Sequence, residues 1–257
     1  MPELPEVETL CRQLKILVSG KTIRSTKVFD DKLAGVRNLK VGVVIDVKRV
    51  GKTIHIGLEN HISIIIHLRM TGRLLWRQDT TRPEYSRWQM VFDDGKVFLV
   101  DPRRFATVNI GESNSEKITN DIIAGFDGKV FLKQQAQRHV NIKTLLMDPK
   151  ALSGIGNIYA CEILHGSGIS PWRKAATLSE EEWKNVFAAA KRILKKGIEK
   201  RGTSISDWCD LHGRPGENQL ELKAYGREGK RCKICGGRIQ RIKQGGRSTF
   251  YCANCQK

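Results

Sequence analysis

The stretch CKICGGRIQRIKQGGRSTFYCANC, residues 232–255, contains two Cys-x-x-Cys pairs with sixteen residues between them. Four thiolates at this spacing are typical of a closed, tetrahedral zinc site, which stabilises a small module that has little core of its own. The segments RIQRIKQ and RSTFYC predict the two strands of a hairpin, with Gly245 and Gly246 in its turn. We therefore predict one structural zinc ion and a functional basic hairpin, with the metal bound by Cys232, Cys235, Cys252 and Cys255.

The overall charge of the chain indicates a polyanionic partner. Its 257 residues include 45 Lys and Arg against 27 Asp and Glu, a formal net charge of +18. This excess favours nucleic acid as the partner, and an anionic membrane surface is the alternative. No segment approaches the ~20 apolar residues of a membrane span, and the N-terminus lacks the design of a signal peptide. We expect a soluble cytoplasmic protein, whose isolated cysteines Cys11, Cys161 and Cys209 bind no metal.

The first 113 residues predict one amphipathic helix followed by a β-rich domain. Pro5 is suited to begin the helix and Gly20 to end it. Seven short segments rich in Val, Ile and Thr predict strands: TIRSTKVF, VVIDVKRV, KTIHIGL, ISIIIHL, RWQMVFD, KVFLV and ATVNI. Asp94-Gly95 is a strong hairpin signal and Glu59-Asn60 a weaker one. Many short strands without intervening helices indicate an antiparallel β-sandwich.

The pattern changes after residue 113, where helices replace strands. Ser179 and Glu182 form a predicted capping box at the start of the longest helix, SEEEWKNVFAAAKRILKKGIEK. The segment 202–219 carries several glycines and prolines and no sustained period, so we predict a long functional loop. Other helices are predicted around 115–124, 130–147 and 157–166. The predicted domains are 1–113, 114–222 with the loop 202–219, and 223–257.

A glycine-rich turn, Gly154-Ile155-Gly156, leads directly into the helix predicted from Asn157. The first N–H groups of a helix lack intrahelical acceptors, so such a turn can present them to a phosphate group. The same kind of turn also joins packed helices that bind nothing. The turn by itself leaves both interpretations open.

The N-terminal stretch MPELPEVETL contains more than a helix start requires. Pro5 is a favoured first helical residue, and acidic residues such as Glu6 complement the positive end of a helix. Neither preference explains Pro2, and Glu3 is not needed to begin a helix at Pro5. These two residues therefore call for another function.

The motifs together resemble the bacterial formamidopyrimidine-DNA glycosylase family, which shares its architecture with endonuclease VIII. The resemblance runs nearly the whole length of the chain, through PELPEVET, GK, HLRMTG, DPRRF, GIGNIYACEIL, GTSISDW, GRPG and YGREG. It implies an α+β fold with three parts: an N-terminal antiparallel β-sandwich with the catalytic helix, a helix–two-turn–helix domain and a zinc finger. It also implies binding to double-stranded DNA, with the protein acting as a monomer.

The family chemistry gives Pro2 and Glu3 a function. Removal of Met1 would expose a secondary α-amine at Pro2. The pKa of a chain α-amine is about 8, well below the lysine pKa of about 10.4. Its attack on C1′ of a nucleotide would give an iminium, which favours elimination of the 3′ phosphate. The resemblance implies that Glu3 transfers a proton to the sugar oxygen or to the departing base, and that Glu6 supports Glu3.

Further site residues are carried over from the family motifs. Lys52 matches the lysine assigned proton transfer in β-elimination, although without the motif it would be an ordinary exposed lysine. Arg247 matches the arginine assigned to δ-elimination. His67 and Asn157 match residues that hold the phosphates beside the lesion.

Met70, Arg103 and Phe105 match the three residues that fill the space left by an everted base, with the arginine facing the orphan cytosine. The alternative for Met70 and Phe105 is core packing, because both adjoin apolar strands. We refer to the three as the wedge. It rests on the HLRMTG and DPRRF motifs.

Four positions depart from the family pattern. Arg69 replaces a glycine beside the wedge, and Pro149 stands where glutamine or asparagine is usual, which affects the expected helix start. Arg87 falls where some members have a DNA-contacting histidine, and Arg138 where a lysine is common. We expect DNA contacts from both arginines.

The resemblance predicts a bifunctional DNA glycosylase and lyase for oxidised purines, mainly 8-oxoguanine and formamidopyrimidines. One alternative is the endonuclease VIII preference for oxidised pyrimidines, against which the PELPEVE opening, the Arg103-x-Phe105 pair and the loop 202–219 all argue. Another is a non-catalytic zinc-finger protein that binds bent or damaged DNA. Such a protein would have no use for Pro2 and Glu3 together.

Overall fold

The computed structural model describes residues 1–112 and 120–257. It divides into one compact unit of Met1–Glu116 with Lys200–Gln219, and a second of Lys117–Glu199 with Leu220–Lys257. The loop 202–219 thus groups with the N-terminal segment, whereas the sequence division placed it in the helical domain. The boundary predicted at 113/114 and the first part of the helix predicted over 115–124 lie outside the described residues. The three-domain division stays a prediction.

The first unit is a sandwich of two antiparallel sheets with one helix, α1 (Leu4–Val18). Val7 and Leu10 of α1 share a single buried cluster with Ile54 and Trp88, which come from different sheets. The predicted sandwich is therefore confirmed. One sheet has the order β1-β6-β7-β5 (Ser25–Val28, Ser86–Phe92, Gly95–Val100, Arg73–Arg77), and the other β2-β3-β4-β8 (Val44–Val50, Thr53–Leu58, Ile62–His67, Thr107–Glu112).

Two details of the sheets differ from the prediction. Strand β5, RLLWR, was not predicted, because arginines flank a short apolar run; the N–H of Trp76 in this strand donates to the carbonyl oxygen of Leu211 at 2.8 Å. The predicted hairpin between β6 and β7 is confirmed, but Phe92 pairs with Gly95. Its turn is therefore Asp93-Asp94, one residue earlier than predicted.

The second unit contains α2 (Gly128–Gln134), α3 (Ile142–Leu146), α4 (Asn157–Ser167) and α5 (Glu180–Glu199). The last two helices were predicted correctly, including the reciprocal bonds of the capping box between Ser179 and Glu182. A single helix over 130–147 is wrong, because the extended backbone of Asn141 separates α2 from α3. The described residues 120–124 form turns, in which the Asp121 carboxylate accepts the N–H of Ile123.

The C-terminal hairpin follows the predicted pattern. Strands β9 (Ile239–Gln244) and β10 (Arg247–Cys252) pair antiparallel. Gly245 and Gly246 form the turn with φ of 56° and 77°, a left-handed conformation that favours glycine. The carboxylate of Glu162, in α4, accepts the N–H groups of three successive residues that lead into the hairpin: Lys223, Ala224 and Tyr225.

The two units together confirm an α+β fold. The only strands described beyond residue 112 are those of the C-terminal hairpin, so sheets and helices are largely segregated along the chain. Among the described residues, no helix has the length and apolar character that a membrane crossing requires.

Candidate active site and nucleic-acid interface

The N-terminal end of α1 buries two carboxylates beside Pro2. Glu3 and Glu6 are each 1% exposed, and Pro2 is also buried. They form a reciprocal capping box, in which the N–H of Glu3 donates to Oε2 of Glu6 at 2.8 Å. A buried charge is costly unless it is hydrogen-bonded, so these bonds are needed to keep the carboxylates in place. The structure thus brings the three predicted residues of the reacting end together.

The loop 202–219 is tied to the same carboxylate. The N–H of Thr203 donates to Oε1 of Glu6 at 2.7 Å, and the side chain of Asn218 donates to Oγ1 of Thr203 at 2.8 Å. Gly202 has φ of 84°, and a Cβ there would lie 2.8 Å from Cγ of Glu6. Only glycine permits this close approach. Glu6 therefore connects the start of α1 to the loop.

Lys52 lies in the tight turn between β2 and β3, which Arg49 connects to α1. The buried Arg49 side chain pairs with Glu8 of α1 at 2.9 Å and donates to the carbonyl oxygen of Gly51 at 2.9 Å. Glu8 thereby fixes the turn that carries Lys52 relative to α1. Neither Glu8 nor Arg49 was singled out from the sequence, since an acidic helix start and a basic strand end look ordinary.

His67, at the end of β4, is positioned as a neutral hydrogen-bond donor. Its Nδ1 accepts the backbone N–H of Arg69 at 2.9 Å, so the ring proton of the neutral form lies on Nε2. Burial, together with the positive charges of Arg69 and Lys52, lowers the pKa of His67 from 6.5 to about 4. Arg69 adopts φ of 58°, which suits the glycine it replaces better than arginine.

The wedge residues lie on two neighbouring turns and are accessible. Met70 is 46% and Phe105 is 45% exposed, so neither is a core residue. The Arg103 guanidinium lies 4.8 Å from the centre of the Phe105 ring, which indicates a cation–π contact. An exposed apolar pair with a stacked arginine is able to enter a base stack.

Arg87 is placed differently from the prediction of a DNA contact. Its side chain is 3% exposed and pairs with Asp30 at 2.5 Å. Breaking a buried ion pair costs ~3–5 kcal/mol, far more than the ~0–1 kcal/mol of an exposed pair. In this structure Arg87 is a buried structural residue rather than a surface ligand for phosphate. The histidine-to-arginine departure was the only signal of this change in the sequence.

In the second unit, Asn157 is held by a lysine that the sequence analysis did not single out. Lys143 is 2% exposed, and its Nζ donates to Oδ1 of Asn157 and to Oγ1 of Thr249, both at 2.6 Å. Nδ2 of Asn157 donates to the carbonyl oxygen of Ser248 at 2.9 Å. Helix α4 and the finger hairpin are thus joined next to the exposed Arg247, so Asn157 and Arg247 share one rigid support.

Arg138 and Pro149 lie in the segments that flank α3. Arg138 pairs with Asp148 at 2.7 Å, and its side chain is 39% exposed. Such a partly exposed pair is weak enough for exchange of Asp148 for a phosphate, so a DNA contact of Arg138 stays a prediction. Pro149 lies in a turn, and its carbonyl oxygen accepts a bond from Asn120 at 2.9 Å. No helix begins at Pro149.

The four predicted metal ligands converge in the finger. The sulfur atoms of Cys232, Cys235, Cys252 and Cys255 all lie within 4.8 Å of one another. Four thiolates at this separation fit a tetrahedral zinc ion. Burial raises the pKa of Cys232, but the N–H groups of Cys235 and Ile234 and the ring of His165 more than offset this and lower it to about 6. His165 Nε2 lies 3.3 Å from Cys232 Sγ and was not singled out from the sequence.

Family models match residues 1–208 and 229–257, and curated relatives align with the whole chain. Family models match for the formamidopyrimidine-DNA glycosylase N-terminal domain over 1–108, its H2TH domain over 101–208, and the zinc finger found in FPG and IleRS over 229–257. Curated formamidopyrimidine-DNA glycosylases from Carboxydothermus hydrogenoformans and Proteus mirabilis are each 38% identical, covering 100% of this chain and 100% and 98% of theirs.

Solved structures agree with these matches. A Lactococcus lactis FPG mutant in complex with Fapy-dG-containing DNA is 30% identical, with a TM-score of 0.91 and 100% of both chains covered. The Lactococcus lactis Fpg with abasic-site DNA has the same TM-score and identity over 99% of both chains.

The matches and the site define a zinc-finger DNA glycosylase. The chain belongs to the formamidopyrimidine-DNA glycosylase family. It is an enzyme of base excision repair, and glycosylase and lyase activities follow from the family. The four finger cysteines bind one structural zinc ion.

Replacing a finger cysteine tests the metal site. Cys252→Ser should remove the stoichiometric zinc and unfold the hairpin that presents Arg247, because metal binding supplies folding energy to such modules. Metal analysis and duplex binding measure the two effects. Cys209→Ser, outside the cluster, is the control and should keep one zinc ion. Full zinc in Cys252→Ser would contradict the ligand assignment.

Replacing Arg69 tests the electrostatics of His67. Arg69→Gly removes a positive charge beside the ring, so the pKa of His67 should rise from about 4 toward 6.5. Because the folded pKa lies below 6.5, the stability that His67 contributes is complete above ~6.5 and is lost as the pH falls toward 4. NMR titration of the ring measures the pKa. Arg82 is another exposed loop arginine, so Arg82→Gly should leave the pKa of His67 unchanged. A His67 pKa in Arg69→Gly equal to that of the wild type would refute the Arg69 charge as a cause of the lowered pKa.

Proposed function

We propose that this protein removes oxidised purines, mainly 8-oxoguanine and formamidopyrimidines, from double-stranded DNA through a Schiff base at Pro2. It then cleaves the strand by β,δ-elimination. The observation that carries the proposal is the burial of Glu3 and Glu6 beside Pro2, with Glu6 held by the loop 202–219. A helix cap can function in water, so helix formation alone does not account for two carboxylates that are nearly inaccessible.

The amine of Pro2 is the nucleophile once Met1 is removed. Its nitrogen forms a bond to C1′, and the bond between C1′ and the damaged base breaks with the electron pair leaving on the base. Opening of the sugar ring gives a cationic iminium between Pro2 and C1′. The attacking amine loses its one proton before the ring opens. Because proline is a secondary amine, the resulting iminium has no N–H left to lose and stays cationic, which is why proline suits the step.

Proton transfers complete the reaction. Glu3 protonates the sugar ring oxygen or the departing base, and Glu6 holds Glu3 and the loop in position. Loss of the C2′ proton then expels the 3′ phosphate, with Lys52 transferring protons in this β-elimination. Arg247 acts in the following δ-elimination, which expels the 5′ phosphate.

The remaining site residues bind the bent strand and fill the stack. A neutral His67 that donates through Nε2 can bind a phosphate oxygen without the desolvation cost of a charged ring. Asn157 binds a second phosphate at the start of α4, where the helix N-terminus favours anions. Met70, Arg103 and Phe105 replace the everted nucleotide, which is consistent with their exposure.

The substrate preference is for purines, with oxidised pyrimidines as the second candidate. The Arg103-x-Phe105 pair and the ordered loop 202–219 support the purine preference. Oxidised pyrimidines are the second candidate because the Lactococcus lactis Fpg has been solved in complex with DNA that contains an oxidised pyrimidine. Excision rates on matched duplexes with one oxidised purine or one oxidised pyrimidine distinguish them.

We further propose that the protein acts as a cytoplasmic monomer. The net charge of +18 disfavours self-association and favours contact with DNA. The sites proposed for chemistry, phosphate binding and the wedge all come from one chain. Sedimentation of the zinc-loaded protein tests the monomer.

Borohydride trapping tests the nucleophile. Reduction of a reaction mixture should attach the protein covalently to lesion-containing DNA, and peptide mapping should place the adduct on Pro2. Retention of Met1 should abolish trapping, because its peptide bond leaves the Pro2 nitrogen without a nucleophilic lone pair. Pro2→Gly keeps a primary amine and should retain part of the lyase activity.

Zinc content and duplex binding of the Met1-retaining protein provide the control, and both should equal those of the processed protein. Undiminished excision and strand cleavage by a blocked N-terminus would overturn the proposal. Lys52 would then be the first alternative nucleophile.

Glu3→Gln tests the division of proton transfers. Removal of its acid should reduce base excision by about a hundredfold, in the range of general acid catalysis. Cleavage at a preformed abasic site should fall less, since no glycosidic bond remains to be broken. Single-turnover rates on the two substrates measure the difference. Equal losses on both would place Glu3 in the elimination instead.

A further inference from the structure

A single buried carboxylate contacts both turns that carry the wedge. Asp101 is 1% exposed, and its Oδ2 accepts the N–H groups of Phe105 and Ala106, both at 2.7 Å. Its Oδ1 accepts the N–H of Arg103 at 3.2 Å. The same atom accepts the hydroxyl of Thr71, the neighbour of Met70, at 2.5 Å. Asp101 therefore joins the Met70 turn to the Arg103–Phe105 turn.

A second layer of charges supports Asp101. Nη1 of Arg87 lies 3.6 Å from the Asp101 carboxylate and donates to the carbonyl oxygen of Ala106 at 3.2 Å. Nε of Arg87 pairs with Asp30, which also accepts two bonds from Arg104 at 2.8 and 2.7 Å. Arg104 has φ of 58°, so its backbone is held in a conformation that arginine rarely adopts. The network thus grips the Arg103–Phe105 turn at each of its residues.

The network constrains geometry more than it adds stability. Buried ion pairs contribute little net stability, because the loss of hydration offsets the attraction, but removal of one partner is costly. A distorted Arg103–Phe105 turn would leave Asp101 or Arg87 buried without partners. The network therefore favours the observed arrangement of the wedge turns, although their side chains are exposed. Entry into a base stack by several side chains together requires such a fixed arrangement.

We propose that Asp101, supported by Arg87, is a positioning residue that locks the Met70 and Arg103–Phe105 turns into one rigid wedge for lesion eversion. This inference rests on the proposed function of the wedge. Arg87 contributes from beneath, through Asp101 and Ala106, rather than through contact with DNA. Loosening of the network should slow eversion and spare the chemistry that follows it.

The test measures eversion and chemistry separately in the full-length, zinc-loaded protein. A fluorescent base analogue next to an 8-oxoguanine in a duplex reports unstacking before any bond is broken. A single-stranded oligonucleotide with a preformed abasic site reports the lyase step without a stack to open. Asp101→Asn and Arg87→Met break the network, and Thr71→Val removes only the link to the Met70 turn. Arg24→Met, which breaks the exposed pair with Asp93, is the matched control.

Eversion should slow by about tenfold or more in Asp101→Asn and Arg87→Met. It should slow less in Thr71→Val, since that variant loses a single hydrogen bond and leaves the bonds between Asp101 and the Arg103–Phe105 turn in place. Cleavage of the single strand should stay within about twofold of the wild type, and Arg24→Met should match the wild type in both assays. Arg87→Lys keeps the charge and should recover part of the rate lost in Arg87→Met.

Eversion at the wild-type rate in the network variants, or equal losses on both substrates, would overturn the positioning role. Thr71→Val decides the case if Asp101→Asn fails to fold, because it leaves no buried charge unpaired. A wild-type protein that unstacks the lesion without excising it would contradict the proposed chemistry alone. Fluorescence and excision thus separate the failure of one proposal from the failure of the other.

Discussion

A carboxylate buried away from water must find hydrogen-bond donors, and this requirement organises the functional loops of the protein. Glu6 accepts the N–H groups of Glu3 and Thr203, Asp101 those of the wedge turn, and Glu162 those of the segment that enters the finger. Loops have few regular partners for their backbone N–H groups, so one buried carboxylate satisfies several at once. The same bonds that stabilise each carboxylate also hold the loop in one conformation.

The local parts of the fold were predictable because their causes are local. The alternation in the sheets, the Ser179–Glu182 capping box and the Gly245-Gly246 turn each depend on neighbouring residues. The finger was predictable for a further reason: four cysteines at fixed spacing leave few geometries other than a tetrahedral metal site. The family motifs supplied the proposed roles of Pro2 and Lys52, which no periodicity indicates.

The parts that could not be predicted depend on partners far along the chain. The sequence predicted Arg87 as a surface cation, but in the structure its side chain is buried beside Asp30 and Asp101. Lys143, in a helix of only five residues, gave no sign of bonds to Thr249. The division of 130–147 into two helices likewise follows from the extended backbone of Asn141, although the apolar pattern continues through it. The hydropathy pattern of a sequence indicates which residues are buried, but it does not indicate which residues contact one another.

The bond between Glu6 and Thr203 spans 197 positions of the chain. During synthesis the N-terminal sandwich emerges from the ribosome long before residue 203, so the Glu6 carboxylate lacks this hydrogen-bond donor until late in translation. By the time that partner arrives, all of α5 and the start of the loop have been made. A nascent or truncated chain that holds Pro2 and Glu3 therefore lacks one of the hydrogen bonds that fix Glu6 at the start of α1. Under the proposed function, the order of translation delays completion of the reacting end until the helices of the second unit have been made.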